Sequence, residues 1–126
     1  MESLDKAVLS LNLARERKAM DPALFEVTEL TSLTDYVLVV SGGSTRQVQA
    51  IARHLVRRMR DAGFRAFGVE GEDEGQWVLL DYGDVIIHVF YEPMRAFYDL
   101  ESLWVEAPRI DVSDEEGNPD EDENGM

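Results

Sequence analysis

The chain has no cysteine, no long apolar run and few bases for its size, and each shortage excludes something. Without cysteine there is no disulfide framework, no thiol nucleophile and no thiolate zinc site, which agrees with a reducing compartment. No apolar stretch approaches the roughly twenty residues needed to span a bilayer. The N-terminus begins with acidic Glu2 and passes directly into an amphipathic pattern, so it has the character of neither a secretory signal nor a transit peptide. A soluble, unprocessed, cytoplasmic protein is expected.

Bases number 12 against 26 acids, for a net charge of -14, and the imbalance is concentrated. Eight acids and no bases lie between Asp111 and Met126, while residues 1–110 carry the other 18 acids and all 12 bases. Like charges and scarce apolar residues leave little to offset the ordering entropy of that tail. We therefore expect one folded domain over 1–108 and a disordered acidic tail over 109–126, with a solubilising extension favoured over a segment that mimics RNA or docks a basic partner.

Phosphate-binding signatures are also missing. Gly42-Gly43-Ser44 stands between a predicted strand and a predicted helix, where backbone N–H groups can hold phosphate. It is not followed by the Lys-Ser/Thr pair of a P-loop, and there is no GxGxxG, so a structural turn is the expected role. Nucleotidyltransferases begin a helix with Gly-Gly-Ser but then supply a pair of metal-binding acids. Here the following stretch is Arg-rich, and its next acid, Asp61, is alone. Arg53, Arg57 and Arg60, with Arg46 and Arg58 nearby, form the only basic stripe, yet no RNP-type module accompanies it and the anionic chain repels RNA at long range. A solvated face with local ion pairs is expected, with peripheral ribosomal RNA contact as the alternative.

A chain of 126 residues is long enough for one buried core. Leu4, Ala7, Val8, Leu11 and Ala14 fall at helical spacing, and Asp21-Pro22 is the expected stop. Strands are predicted at Leu24 to Leu30 and at Tyr36 to Val40, the latter β-branched and deeply buried. Val48, Ile51, Ala52, Leu55, Val56 and Met59 keep a helical period until Gly63. A third strand is expected at Arg65 to Glu70, parallel to the second through a right-handed crossover. A hairpin from Trp77 to Glu92 turns at Tyr82-Gly83, where glycine supplies positive φ. A short helix at Leu100 to Trp104, with Phe97, closes the fold before Pro108. The prediction is an α/β single domain with a mixed five-stranded sheet and flanking helices.

The hairpin region carries the candidate surface. Asp84, His88 and Glu92 share strand parity, but residues four apart lie about 13 Å apart along a strand, too far for two of them to share a metal. His88, among apolar neighbours, reads as a half-buried, hydrogen-bonded histidine. Asp81 and Asp84 read as turn-fixing residues. Trp77 shares parity with Leu79 and Asp81, whereas Val78 and Leu80 face the other way, so one of the two faces must be core. Its polar flank, Glu70-Gly71-Glu72-Asp73-Glu74-Gly75, places the indole near the sheet's rim. An edge tryptophan beside carboxylates has the composition of a protein-binding hot spot for a basic partner.

Many of these residues occur together in one family. Asp35-Tyr36, Ser41-Gly42, Gly68-Val69-Glu70-Gly71, Trp77, Asp81-Tyr82-Gly83-Asp84-Val85, His88-Val89, Glu92, Arg95, Tyr98 and Leu100-Glu101-x-Leu103-Trp104 resemble, in order, the ribosomal silencing factor (Iojap) family. The resemblance runs from about Leu4 to Trp104. It implies a nucleotidyltransferase-like topology without the enzyme's metal-binding acids, and so no catalytic residue, metal or cofactor. It implies a partner, the large ribosomal subunit, bound through ribosomal large-subunit protein fourteen at the face that meets the small subunit, so that subunit joining is blocked and translation is repressed under starvation. A role in large-subunit assembly is the alternative it leaves open, and a nucleotide-dependent nucleotidyltransferase is the more distant one. On these grounds Glu70, Trp77, Asp81, Tyr82, Asp84 and Tyr98 become the candidate partner-binding residues, with Trp77 as anchor. An exposed sheet edge or apolar patch would also allow a homodimer of the free protein.

Overall fold

In the computed structural model, which describes residues 2–112, six strands form one sheet in the order β3-β4-β5-β2-β1-β6. The elements are α1 (Ser3–Arg15), β1 (Met20–Glu26), β2 (Tyr36–Gly42), α2 (Thr45–Asp61), β3 (Gly68–Glu70), β4 (Trp77–Asp81), β5 (Val85–Tyr91), α3 (Glu92–Tyr98), a 3-10 helix (Leu100–Trp104) and β6 (Arg109–Ile110). The predicted mixed α/β sheet is present with one strand more than the five expected. The sixth, β6, pairs antiparallel with β1 through Leu24↔Ile110 and Phe25↔Arg109. Pro108 therefore does not end the folded part. Val112 packs on the core, and its carbonyl accepts a hydrogen bond from Arg15 Nη2 at 2.8 Å. The remainder of the expected tail lies outside the described residues.

The strand paired in parallel with β2 is β5, from Tyr36↔Val85 to Gly42↔Tyr91, rather than β3, which runs in the same direction at the sheet's edge. Burial explains the exchange. Parallel central strands are covered on both faces and need continuous apolar sequence, which Val85–Tyr91 supplies. β3 is three residues long and half-exposed or exposed throughout, so it takes the edge, antiparallel to β4. The helix α1 ends at Arg15, ahead of the expected stop. Lys18 takes a left-handed φ of 61°, and Ala19 N–H reaches back to the Ala14 carbonyl. The Asp21-Pro22 pair lies inside β1, where the pairing register shifts between Met20 and Ala23. Ser44 caps α2, and Gly63 at φ 99° ends it as expected.

Strand alternation divides the buried side chains into two clusters. On one face Leu24, Leu38, Val40, Val78, Leu80, Ile87 and Val89 pack under α1 and α2, against Leu11, Val48, Ile51, Leu55 and Met59. On the other, Ala23, Phe25, Val37, Val39 and Phe90 are covered by Met94, Leu100, Trp104 and Ala107, from α3 and the segment after it. This second cover is held by Arg95, which donates to both Glu101 carboxylate oxygens and to Ser41 Oγ on β2, each at 2.9 Å. The same pair draws the Glu101 carboxyl below its usual pKa. The cover reaches β4 only at Trp77, through Tyr98, and leaves Leu79, Asp81 and Ile86 partly exposed on an open sheet face.

Candidate docking face

The open face holds a groove of about 590 Å³, lined by Leu33, Thr34, Phe67, Glu70, Leu79, Asp81, Ile86, His88 and Trp104 among others. Its position follows from strand parity. With Val78 and Leu80 fully buried under the helices, Trp77, Leu79 and Asp81 must point to the other side of β4, joined by Ile86, His88 and Phe90 of β5. The hairpin turn forms one end. Asp81 Oδ1 accepts from Gly83 N–H at 2.8 Å, Tyr82 N–H donates to the Val85 carbonyl at 2.9 Å, and Gly83 takes the expected positive φ, 84°. A Cβ on Gly83 would lie 2.8 Å from the Phe67 ring, so the glycine also gives that aromatic its seat. Phe67 is 80% exposed and Leu33 is 87% exposed, which leaves two large apolar side chains in solvent at the groove's rim.

An aromatic wall continues from the groove. The Trp77 ring stacks on Phe90 at 4.9 Å between centroids and meets Tyr98 at 4.8 Å. Phe97, 75% exposed, meets Tyr98 edge-on. Trp77 Nε1 donates to His88 Nδ1 at 3.0 Å, so the histidine is buried and hydrogen-bonded, as its apolar neighbours suggested. Burial pushes the His88 pKa down to about 4. The Trp104 indole nitrogen, also sealed from solvent, has no hydrogen-bond partner among the described residues.

Of the six candidate residues, the structure brings Glu70, Trp77, Asp81 and Tyr98 to this face. Tyr82 is a correction. It is 2% exposed and packs in the helix-side core, where burial raises its pKa to about 12. Asp84 is another, because its carboxylate is drawn to Lys6 Nζ on α1, 2.7 Å away, while its carbonyl accepts from Asp35 and Tyr36 N–H. Asp84 thus ties helix to turn instead of joining the groove, and of the two expected turn-fixing side chains only Asp81 acts directly on the turn. Nor do Asp84, His88 and Glu92 share a face, since Asp84 sits in the turn and Glu92 begins α3. Sequence reading passed over Leu33, Phe67, Ile86 and Trp104 as surface residues. For Ile86 the signal was shared parity with His88; for Leu33 and Phe67, in irregular segments, there was none.

The groove is flanked by charge of one sign. Glu70 and Asp81 line it, whereas the Glu72–Glu74 loop turns towards α2, where Gln49 donates to the Glu72 and Asp73 carbonyls. The arginines of the basic stripe lie on α2, on the other side of the sheet. Arg53 pairs with Glu72 at 2.6 Å, Arg58 with Glu16 at 3.0 Å, and Arg57 reaches His54 Nδ1 at 3.3 Å, which is the locally paired face expected of that stripe. At the start of α2, Gly43 N–H donates to Gln47 Oε1 and Gln47 N–H to Ser44 Oγ. These amides, which would hold a phosphate, are satisfied from within the chain. Among the described residues no three His, Asp or Glu side chains group as metal ligands, and no helix is long and apolar enough to cross a membrane.

The sequence as a whole has recognisable relatives. A family model described as "Ribosomal silencing factor during starvation" matches residues 1–125. The chain is 38% identical over 109 residues to the ribosomal silencing factor RsfS of Bacillus subtilis, covering 85% of this chain and 92% of that protein. It is 34% identical to the chloroplastic protein Iojap of Zea mays, spanning 88% of this chain and 48% of that longer protein, and 32% identical to a Mus musculus protein named "Mitochondrial assembly of ribosomal large subunit protein 1", over 75% and 42%. A crystal structure from Chromobacterium violaceum superposes with a TM-score of 0.81 at 36% identity, covering 82% of this chain and 87% of that one. The chain belongs to the ribosomal silencing factor family.

Proposed function

We propose that this protein binds the large ribosomal subunit through large-subunit protein fourteen and, by occupying the face that meets the small subunit, blocks subunit joining. The observation that carries the reading is the open sheet face, where an aromatic wall and exposed Phe67 and Leu33 surround a groove bordered by acids. Aromatic anchors with a charged rim are the composition of a protein-binding hot spot, and carboxylates at the rim favour a basic ribosomal protein. The relatives' names give the ribosome as the context. No chemistry is required, because a rigid domain seated at the interface excludes the other subunit by volume alone. We accordingly assign no catalytic residue, cofactor or metal, and place the protein with ribosomes in the cytoplasm, with residues 1–112 as its working domain.

The test is co-sedimentation with separated subunits. We expect pelleting with large and not small subunits, and a lower yield of paired ribosomes when the protein is added before joining at raised magnesium. Equal pelleting with both, or none, overturns the reading. A role in large-subunit assembly is favoured by one observation, the name of the mouse relative. It requires the protein on precursor particles with no slowing of finished ribosomes. A nucleotidyltransferase reading loses support from the self-satisfied amides at Gly43 and Gln47, and titration with nucleoside triphosphate and magnesium should give no heat. Self-association of the free protein through the same apolar face competes with docking, and sedimentation equilibrium reads it directly.

A further inference from the structure

Within this docking face, His88 has a role that composition and family likeness do not assign. It is 7% exposed, lies opposite Leu79 in the β4–β5 register, and its ring lies 6.2 Å from that of Phe90, nearly parallel to it. Its Nδ1 is 3.0 Å from Trp77 Nε1. An indole nitrogen only donates, so Nδ1 must accept, and the neutral imidazole must carry its proton on Nε2. Two consequences follow. The indole of Trp77 has already committed its only donor within the protein, so it meets a partner with its ring face and edge. The other imidazole nitrogen has no partner among the described residues, is not among the sealed polar atoms, and belongs to a side chain that lines the groove. The carboxylates that line the same groove, Glu70 and Asp81, are acceptors when ionised. A neutral donor at Nε2 therefore differs in kind from those two carboxylates.

We propose that His88 is the positioning and selectivity residue of this face: Nδ1 holds Trp77 in its stacked pose, and the tautomer so fixed offers Nε2–H to a main-chain carbonyl of a bound basic protein segment. The proposal rests on the docking reading above. The carboxylates attract the segment's cations, while the apolar rim takes its aliphatic stems. A carbonyl acceptor lets the segment enter in one register, since a wrong register leaves a desolvated donor unpaired. Burial, which keeps the imidazole neutral down to about pH 4, maintains both hydrogen-bonding roles at working pH.

Three substitutions in the full chain separate the roles. The side-chain carbonyl of His88→Asn replaces Nδ1 as acceptor and lacks the Nε2 donor. His88→Gln carries its amide towards the Nε2 position and loses the Nδ1 acceptor. His88→Phe loses both. In nitrogen-15 spectra of the free protein we expect Nδ1 unprotonated and Nε2 protonated. The Trp77 indole resonance, assigned by its loss in Trp77→Phe, should stay near its place in His88→Asn and move in His88→Gln and His88→Phe. Affinity for isolated large subunits should fall about fivefold to tenfold in His88→Asn, the loss of one hydrogen bond, and further in His88→Phe. A proton found on Nδ1, or a Trp77 resonance unmoved in the folded His88→Phe variant, overturns the positioning role. Wild-type affinity in His88→Asn overturns the donor role. If the wild-type protein itself does not bind large subunits, the docking reading fails and the donor role with it, while the spectra still decide the positioning role.

Discussion

Replacing Trp77 by alanine removes its ring contacts with Phe90, Tyr98 and His88 together with one hydrogen bond. If the docking face is as proposed, we expect binding to large subunits to weaken by about 2 kcal/mol, roughly thirtyfold, as for an interface hot spot. The residue is half-buried, so some stability is lost as well, and a thermal melt by circular dichroism must accompany the affinity. Unchanged affinity in a folded variant removes Trp77 as anchor. His88 gives a second test at this scale. Its folded pKa of about 4 lies below the ordinary 6.5, so an unfolded chain binds the proton first as pH falls. The stability it contributes is complete above about pH 6.5 and is lost as pH falls towards 4, on the order of 3 kcal/mol in all. Urea midpoints at pH 7 and pH 4.5 should therefore differ more for the wild type than for His88→Asn, and equal differences would show that this imidazole does not titrate with folding. Legibility at the residue scale was uneven. Alternation along β4 exposed the two-faced choice at Trp77, but Tyr82 and Asp84 stand in a turn, where no period says which way a side chain leaves.

At the scale of elements, the loop between β3 and β4 decides where the Trp77 strand begins. Gly71 has φ 86°, and a Cβ there would overlap the Trp77 carbonyl oxygen. Alanine at this position must strain the backbone and displace that carbonyl. We expect Gly71→Ala to destabilise the fold by about 2 kcal/mol or more, near 10 °C in melting temperature for a domain of this size. A melt within a degree or two of wild type would show that the loop yields freely. The first two helices and the hairpin were legible because their signals are local, such as the period of α2 between Ser44 and Gly63 and Gly83 between two apolar runs, whereas α3, starting at Glu92 where the hairpin was expected to end, was not foreseen. Strand order was less so. The crossover from β2 through α2 correctly implied a strand running parallel to β2, but adjacency depends on which strand best fills the centre. That comparison between Val85–Tyr91 and Gly68–Glu70 is made only in the assembled sheet. The two-residue β6 is too short to leave a periodic signal, and its pairing with β1 is fixed by chain reversal after the 3-10 helix.

For the whole molecule, the distribution of charge is the remaining variable. Seven acids lie beyond Val112, between Asp114 and Glu123, and none of them belongs to the described fold. Removal from Asp111 would delete Val112, which packs on the core and accepts from Arg15, so the informative truncation begins at Ser113. We expect that variant to keep the melting temperature and the subunit-joining block, because every groove residue is retained. Its association with large subunits should be faster at low salt, since fewer negative charges approach ribosomal RNA. That gain should shrink as the screening length contracts to roughly 8 Å near physiological ionic strength. Association rates by stopped flow across a salt series measure it. Loss of subunit binding on truncation would instead make the acidic segment a recognition element, and an unchanged rate at every salt concentration would show that its field does not reach the docking step.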